Sequence, residues 1–141
     1  MSQMMGRGPD GESKTLACDY DGNLYTVSSP PAAFSVTIPN GQSLSNSVDL
    51  GGRTLGAIIM SAVWTAAALT FQASLDGVTW FNLLDNTGTE VNLATAANYF
   101  LNLTPASWQA LRFLKFRSGT SGAPVNQGAD RVINLVAVAS N

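Results

Sequence analysis

Beyond residue 31 the sequence carries five acidic residues, Asp49, Asp76, Asp85, Glu90 and Asp130. Two carboxylates facing one another would offer general acid–base or glycosidic chemistry. Their spacing sets no two of them on one face of one strand. Asp76 precedes Gly77 and Asp85 precedes Asn86-Thr87-Gly88, positions where a carboxylate accepts from the N–H groups of its own turn. They are read as turn residues. The run Asp19-Tyr20-Asp21-Gly22-Asn23 gathers oxygen ligands of the kind calcium takes. It lacks the remaining ligands of an EF-hand loop, so a turn is the better reading.

Histidine is absent. That removes the commonest general base, the Ser–His and Cys–His nucleophile pairs and every His-based metal site. Cys18 is the single cysteine and has no partner for an internal disulfide. The Gly-rich stretches, Gly51-Gly52 and Gly119 to Gly128, are not followed by lysine as a phosphate loop requires. The expectation is a protein that is not an enzyme, with no catalytic residue, no cofactor and no metal.

Trp64, Trp80 and Trp108 could stack on the face of a sugar ring. Trp80 is the one to weigh, because alternation puts it on the opposite strand face from Phe81. Packing in a core or an interface is the preferred reading for all three. The cations after Ser29 are Arg53, Arg112, Lys115, Arg117 and Arg131, and the net charge is −2. They form no basic stripe, so phosphate neutralisation is not expected and nucleic acid is not an expected partner. They read as strand-face and edge charges that discourage aggregation.

These side chains need a framework, and its grammar is β. Leu69, Phe71, Ala73 and Leu75 alternate with Thr70, Gln72 and Ser74, a period of two that buries one face of a strand. Asp76-Gly77 is tight-turn chemistry, and a second strand, Thr79 to Leu84, is expected to follow at once. Further strands are predicted at Phe34 to Ile38, Leu44 to Leu50, Leu55 to Ser61, Thr89 to Leu93, Asn98 to Leu103, Leu111 to Arg117 and Arg131 to Val138. The Leu55 run is nearly continuous apolar, as for a strand covered on both faces. Thr104-Pro105 opens one helical turn, with Thr104 as cap and Pro105 at the first helical position. The fold class that follows is all-β: an antiparallel β-sandwich or jelly roll of about eight strands.

The chain divides at Ser28-Ser29-Pro30-Pro31, an extended connector by composition. Residues 1–31 are expected to be an N-terminal arm, and residues 32–141 the sandwich domain. Within the arm, Leu16-Ala17-Cys18 and Leu24-Tyr25-Thr26-Val27 flank an Asp-Gly turn and read as a short hairpin. A lone hairpin is marginal in water, so it must lie on other protein surface. Candidate partner-binding residues are therefore Leu16, Tyr20, Leu24, Tyr25 and Trp80.

Hydrophobic residues make up 45% of the 141 residues and charged residues only 11%, against roughly 25% charged in an average globular domain. So little charge implies that partners cover much of the surface. The N-terminus lacks the apolar run of a signal peptide. The window Leu55 to Leu69, broken by Ser61, Trp64 and Thr65, is too short to span a membrane. Folding in a cytoplasm is expected, with no membrane partner.

The run Ala67 to Trp80, with Tyr99 to Leu103 and Arg112 to Thr120, resembles a family of small virion proteins encoded beside capsid genes in tailed bacteriophages. The stretch Lys14 to Val27 resembles a short D-G-x-L hairpin that precedes a β domain in phage head or tail accessory proteins. The resemblance implies a capsid decoration, or cement, protein on the virion surface. Its implied partners are the major capsid protein and copies of itself, as in a trimer, with no enzymatic activity. Ser74 to Trp80 also resembles the S-x-D-G-x-x-W hairpin of carbohydrate-binding sandwiches. That second resemblance implies the alternative of a tail or fibre module that binds a glycan or another tail protein.

Overall fold

A computed structural model describes residues 31–139. Its strands are β1 (Ala32–Ile38), β2 (Val48–Asp49), β3 (Arg53–Ile59), β4 (Leu69–Ser74), β5 (Phe81–Asn82), β6 (Phe100–Asn102), β7 (Phe113–Ser118) and β8 (Arg131–Ala139). They form two antiparallel four-stranded sheets, β1-β8-β3-β6 and β2-β7-β4-β5. The expected all-β sandwich of eight strands is the observed fold. The arm, its hairpin and the linker at Pro30 lie outside the described residues.

The longest pairing joins the first strand to the last. β1 and β8 match from Ala32↔Ala137 to Ile38↔Arg131, and on β8 Ile133, Leu135 and Ala137 are buried while Val132 and Asn134 are exposed. From the second sheet Leu69 and Phe71 of β4 meet Leu114 and Phe116 of β7 in the same core. Phe71 sits at its centre, edge-on to Trp108 at 5.1 Å and to Phe116 at 4.9 Å between ring centroids. Such edge-to-face contacts stabilise beyond the burial of the rings themselves.

The apolar run in β3 has a specific cause. The β3–β8 register shifts between Leu55 and Ala57, so Gly56 is the extra residue of a bulge. A bulge reverses the alternation, and Leu55 and Ile58, three apart, both reach full burial. Ala57 and Ile59 are thereby left on the sheet's outer side, where Ala57 is buried and Ile59 half-buried, so the strand is covered on both faces over most of its length, as expected. A side chain at position 56 would press on Val138 Cγ1 at 3.3 Å, which explains the glycine.

Three local expectations are corrected. Leu75 is not on the buried face: it is 86% exposed, because β4 ends at Ser74 and pairing resumes only at Ala73↔Phe81. The connection therefore runs through residues 74–80 rather than a two-residue turn. Of the predicted strand Leu44 to Leu50 only Val48–Asp49 is a strand, with Leu44 bridging singly to Arg117. The single turn at Pro105–Trp108 is a 3-10 helix with proline at its start, but the Thr104 hydroxyl makes no cap. The Thr104 carbonyl accepts from Ser107 N instead, at 3.0 Å.

One buried side chain pins the long loop before β8. Gln127 Oε1 accepts from Thr65 N (2.8 Å) and Arg131 Nε (3.1 Å), and Nε2 donates to Thr65 O (3.1 Å) and Ser118 Oγ (2.6 Å). All four hydrogen-bonding positions of the amide are used, which is how a polar side chain this deep is tolerated.

Candidate functional site

The outer face of the second sheet carries paired charges. On β7, Lys115 and Arg117 are two residues apart and share one side. Arg117 donates from Nε to Thr70 Oγ1 (3.0 Å), from Nη1 to Asn82 Oδ1 (3.1 Å) and from Nη2 to Glu90 Oε2 (2.7 Å). Glu90 also accepts from Ser121 N at 3.1 Å. Arg112, just before β7, grips Asp49 through Nε at 3.1 Å and Nη2 at 3.3 Å. These groups tie strands to loops and hold one another.

Asp76 and Asp85 are turn residues, as read from sequence. Asp76 Oδ1 accepts from Val78 N, Thr79 N and Ser74 Oγ, and these bonds, that from Thr79 first, hold its pKa down at about 2. Asp85 accepts from the Thr87 hydroxyl and from Thr87 N and Thr89 N, which also lower its pKa. Asp49 is lowered chiefly by its bond from Arg112, whose own pKa is raised in return. Asp130 accepts from Asn40 N at 2.7 Å. Asp49, Asp76 and Asp85, held ionised by these donors, are poor proton donors near neutrality. Among the described residues, no group of three or more His, Cys, Asp or Glu is placed to hold a metal ion.

Of the candidate partner residues, Leu16, Tyr20, Leu24 and Tyr25 lie outside the described residues. Trp80 is half-buried, and the Lys115 ammonium lies over its ring at 4.6 Å from the centroid, a cation–π contact that occupies one ring face. Trp108 is 6% exposed and belongs to the core. A sugar-stacking platform built from Trp80 and Trp108 together is not formed.

What the loop at the end of β4 does present is apolar. Leu75, Val78 and Phe81 are 86%, 79% and 67% exposed. Leu75 and Phe81 edge a groove of about 180 Å³ that continues along Ala110 and Leu111. Asp76 makes this possible: by accepting from the N–H groups of Val78 and Thr79 it shapes the loop and turns Leu75 and Val78 outward. Sequence reasoning missed Leu75 and Val78. The signal was the Ser74-x-Asp76 pair, which satisfies backbone donors locally and so ends the ladder.

The register places this apolar tip near the start of β1. Ser74 pairs with Phe113, and Phe113 with Asp49. Asp49 leads through the turn closed by Arg53 N to Leu50 O into Arg53, which pairs with Ala139. Ala32, opposite Ala137, therefore opens β1 at the same end of the sandwich. The start of β1 and the loop that displays Leu75, Val78 and Phe81 thus lie at the same end of the sandwich.

Compared with known protein families, with curated proteins and with solved structures, the chain matches none.

Proposed function

We propose that this protein is a non-enzymatic structural component of a tailed-phage virion, a capsid decoration protein that stabilises the head by bridging capsid subunits. One observation carries the reading furthest: three large apolar side chains, Leu75, Val78 and Phe81, are exposed together at the end where residues 1–30 enter β1. Contiguous exposed apolar residues mark a surface that another protein covers. A chain with 11% charged residues suits a setting in which contacts replace water.

In this reading the tip seats on the major capsid protein and the arm reaches to neighbouring subunits. Each contact is weak alone, and the repeat of the lattice multiplies them through effective concentration. The glycan-binding alternative has less to rest on, since Trp108 is in the core and Lys115 covers one face of Trp80. Deleting residues 1–31 is the test. The sandwich is expected to fold, with an unchanged β-type circular dichroism spectrum, and to be lost from particles. Normal incorporation of the truncated chain would overturn the role of the arm.

A further inference from the structure

Beside β5, the outermost strand of the second sheet, the hairpin of residues 83–93 and the 3-10 turn enclose a cavity of about 510 Å³. That is within the range of about 300–1,000 Å³ typical of ligand sites. Leu83, Val91 and Leu93, half-buried against the core, make its apolar walls. Asp85 stands exposed at its mouth, and Trp108, 6% exposed, lies at its base. None of its lining residues belongs to the groove beside Leu75 and Phe81.

Two of these groups have bonding capacity that the protein leaves unused. Trp108 Nε1–H donates to no acceptor among the described residues, where Thr95 Oγ1 is the one side-chain polar atom sealed from solvent without a partner. The indole N–H is therefore not sealed, and the cavity that Trp108 lines is its way out. A tryptophan this deeply buried ordinarily finds an acceptor for its N–H. Trp64 finds one in Ala67 O, at 3.1 Å. At the mouth, Asp85 accepts from the Thr87 hydroxyl, Thr87 N and Thr89 N on Oδ1 alone. Those bonds keep the carboxyl ionised and leave Oδ2 with no donor among the described residues.

We infer that this cavity receives a glutamine side chain from an extended segment of another protein. The side-chain oxygen accepts from Trp108 Nε1, and the methylene stem lies on Leu83, Val91 and Leu93. A main-chain N–H of the incoming segment donates to Asp85 Oδ2.

Charge complementarity chooses the occupant. An indole is a donor only, so the group that meets Trp108 must carry a lone pair. A glutamate would bring its lone pairs with a negative charge, beside a carboxylate already ionised. A leucine would fill the walls and leave the N–H unmet. A sugar would set several hydroxyls against aliphatic walls that offer them no bond. An uncharged amide on an apolar stem meets both demands. The site is separate from the tip proposed to seat on the capsid, so either can fail without the other.

Titration of the full, isotope-labelled chain with N-acetyl-glutamine methylamide tests it, read by NMR at the tryptophan indole N–H signals. Trp108 is assigned through its ring contact with Phe71, and Trp64, bonded within the chain, is the internal control. The Trp108 signal is expected to move saturably, with half-saturation in the millimolar range that so small a ligand reaches. The norleucine analogue should bind at least about tenfold more weakly, because it leaves the N–H unmet. The glutamate analogue should bind about threefold more weakly at neutral pH, and Asp85→Asn should close that gap. Asparagine keeps the acceptor that the turn uses, and urea unfolding confirms that the variant folds. A Trp108 signal unmoved at about 100 mM overturns the inference. So does equal movement by the norleucine analogue or by glucose, or a glutamate gap that Asp85→Asn leaves unchanged.

Discussion

Arg117 and Glu90 meet at 2.7 Å across the outer side of the second sheet, with only 7% and 20% of their side chains exposed. Charges this sheltered hold a fold together only while each keeps its partner. Arg117 also reaches Thr70 and Asn82, so one guanidinium links β4, β5 and the hairpin that carries Glu90.

Removing one partner should therefore cost more than a surface pair would. Glu90→Ala leaves the Arg117 charge without its counter-ion and is expected to destabilise the domain by about 3 kcal/mol. Urea unfolding at neutral pH reads this directly. A loss under about 0.5 kcal/mol, as for exposed pairs, would show that the link is dispensable.

The Asp76 loop makes a pH prediction. Its folded pKa, about 2, lies below the ordinary 3.8, so ionised Asp76 favours the folded state. The contribution is fully present above the unfolded value and is lost as pH falls from about 3.8 through about 2. Asp76→Asn should thus be less stable than the parent at neutral pH, with the gap narrowing on acidification through that window. A carboxyl titration by NMR with a midpoint near the ordinary value would contradict the loop geometry.

Gly119 adopts φ +89° directly after β7, and a Cβ there would lie 2.5 Å from the Ala123 carbonyl oxygen. Backbone is on the receiving side, so relief requires the loop to move. Gly119→Ala is expected to cost more than about 1 kcal/mol, seen as a lower urea midpoint at unchanged slope. Unchanged stability would mean that the 119–125 turn rearranges freely.

Phe71→Ala removes the ring that Trp108 and Phe116 pack against edge-on. A fully buried phenylalanine truncated in this way should destabilise by about 3–5 kcal/mol. Loss of near-ultraviolet circular dichroism from Trp108, at a smaller cost than that, would indicate a core that collapses to fill the gap.

The strands that bury one face were legible because a period of two is written directly in residue type. Val36 and Ile38, Leu69 and Phe71, Leu114 and Phe116, Ile133 and Leu135 all point inward as their alternation requires. The strand expected from Leu44 dissolved where side chains replaced the ladder: Ser45 Oγ accepts from Phe116 N at 2.9 Å and Asn46 Oδ1 from Thr37 N at 2.8 Å. Leu75 misled for the same reason, since the local bonds of Ser74 and Asp76 outweighed its place in the pattern. The long-range pairs were out of reach altogether. Arg117 and Glu90 are 27 residues apart and Gln127 and Thr65 are 62 apart, so which polar groups meet depends on topology that no local spacing encodes. Of the candidate site, Trp80 lies under Lys115 just before β5, a contact between residues 35 apart in sequence that no local spacing shows, and the exposed tip emerged only from the loop's geometry.

The most direct test of the decoration role is cryo-electron microscopy of intact particles from the source, with this chain located in the density. The account predicts regular copies over the capsid lattice, each with the Leu75, Val78 and Phe81 tip against the shell. Heads without this chain, or copies at the tail alone with that tip facing solvent, would contradict it.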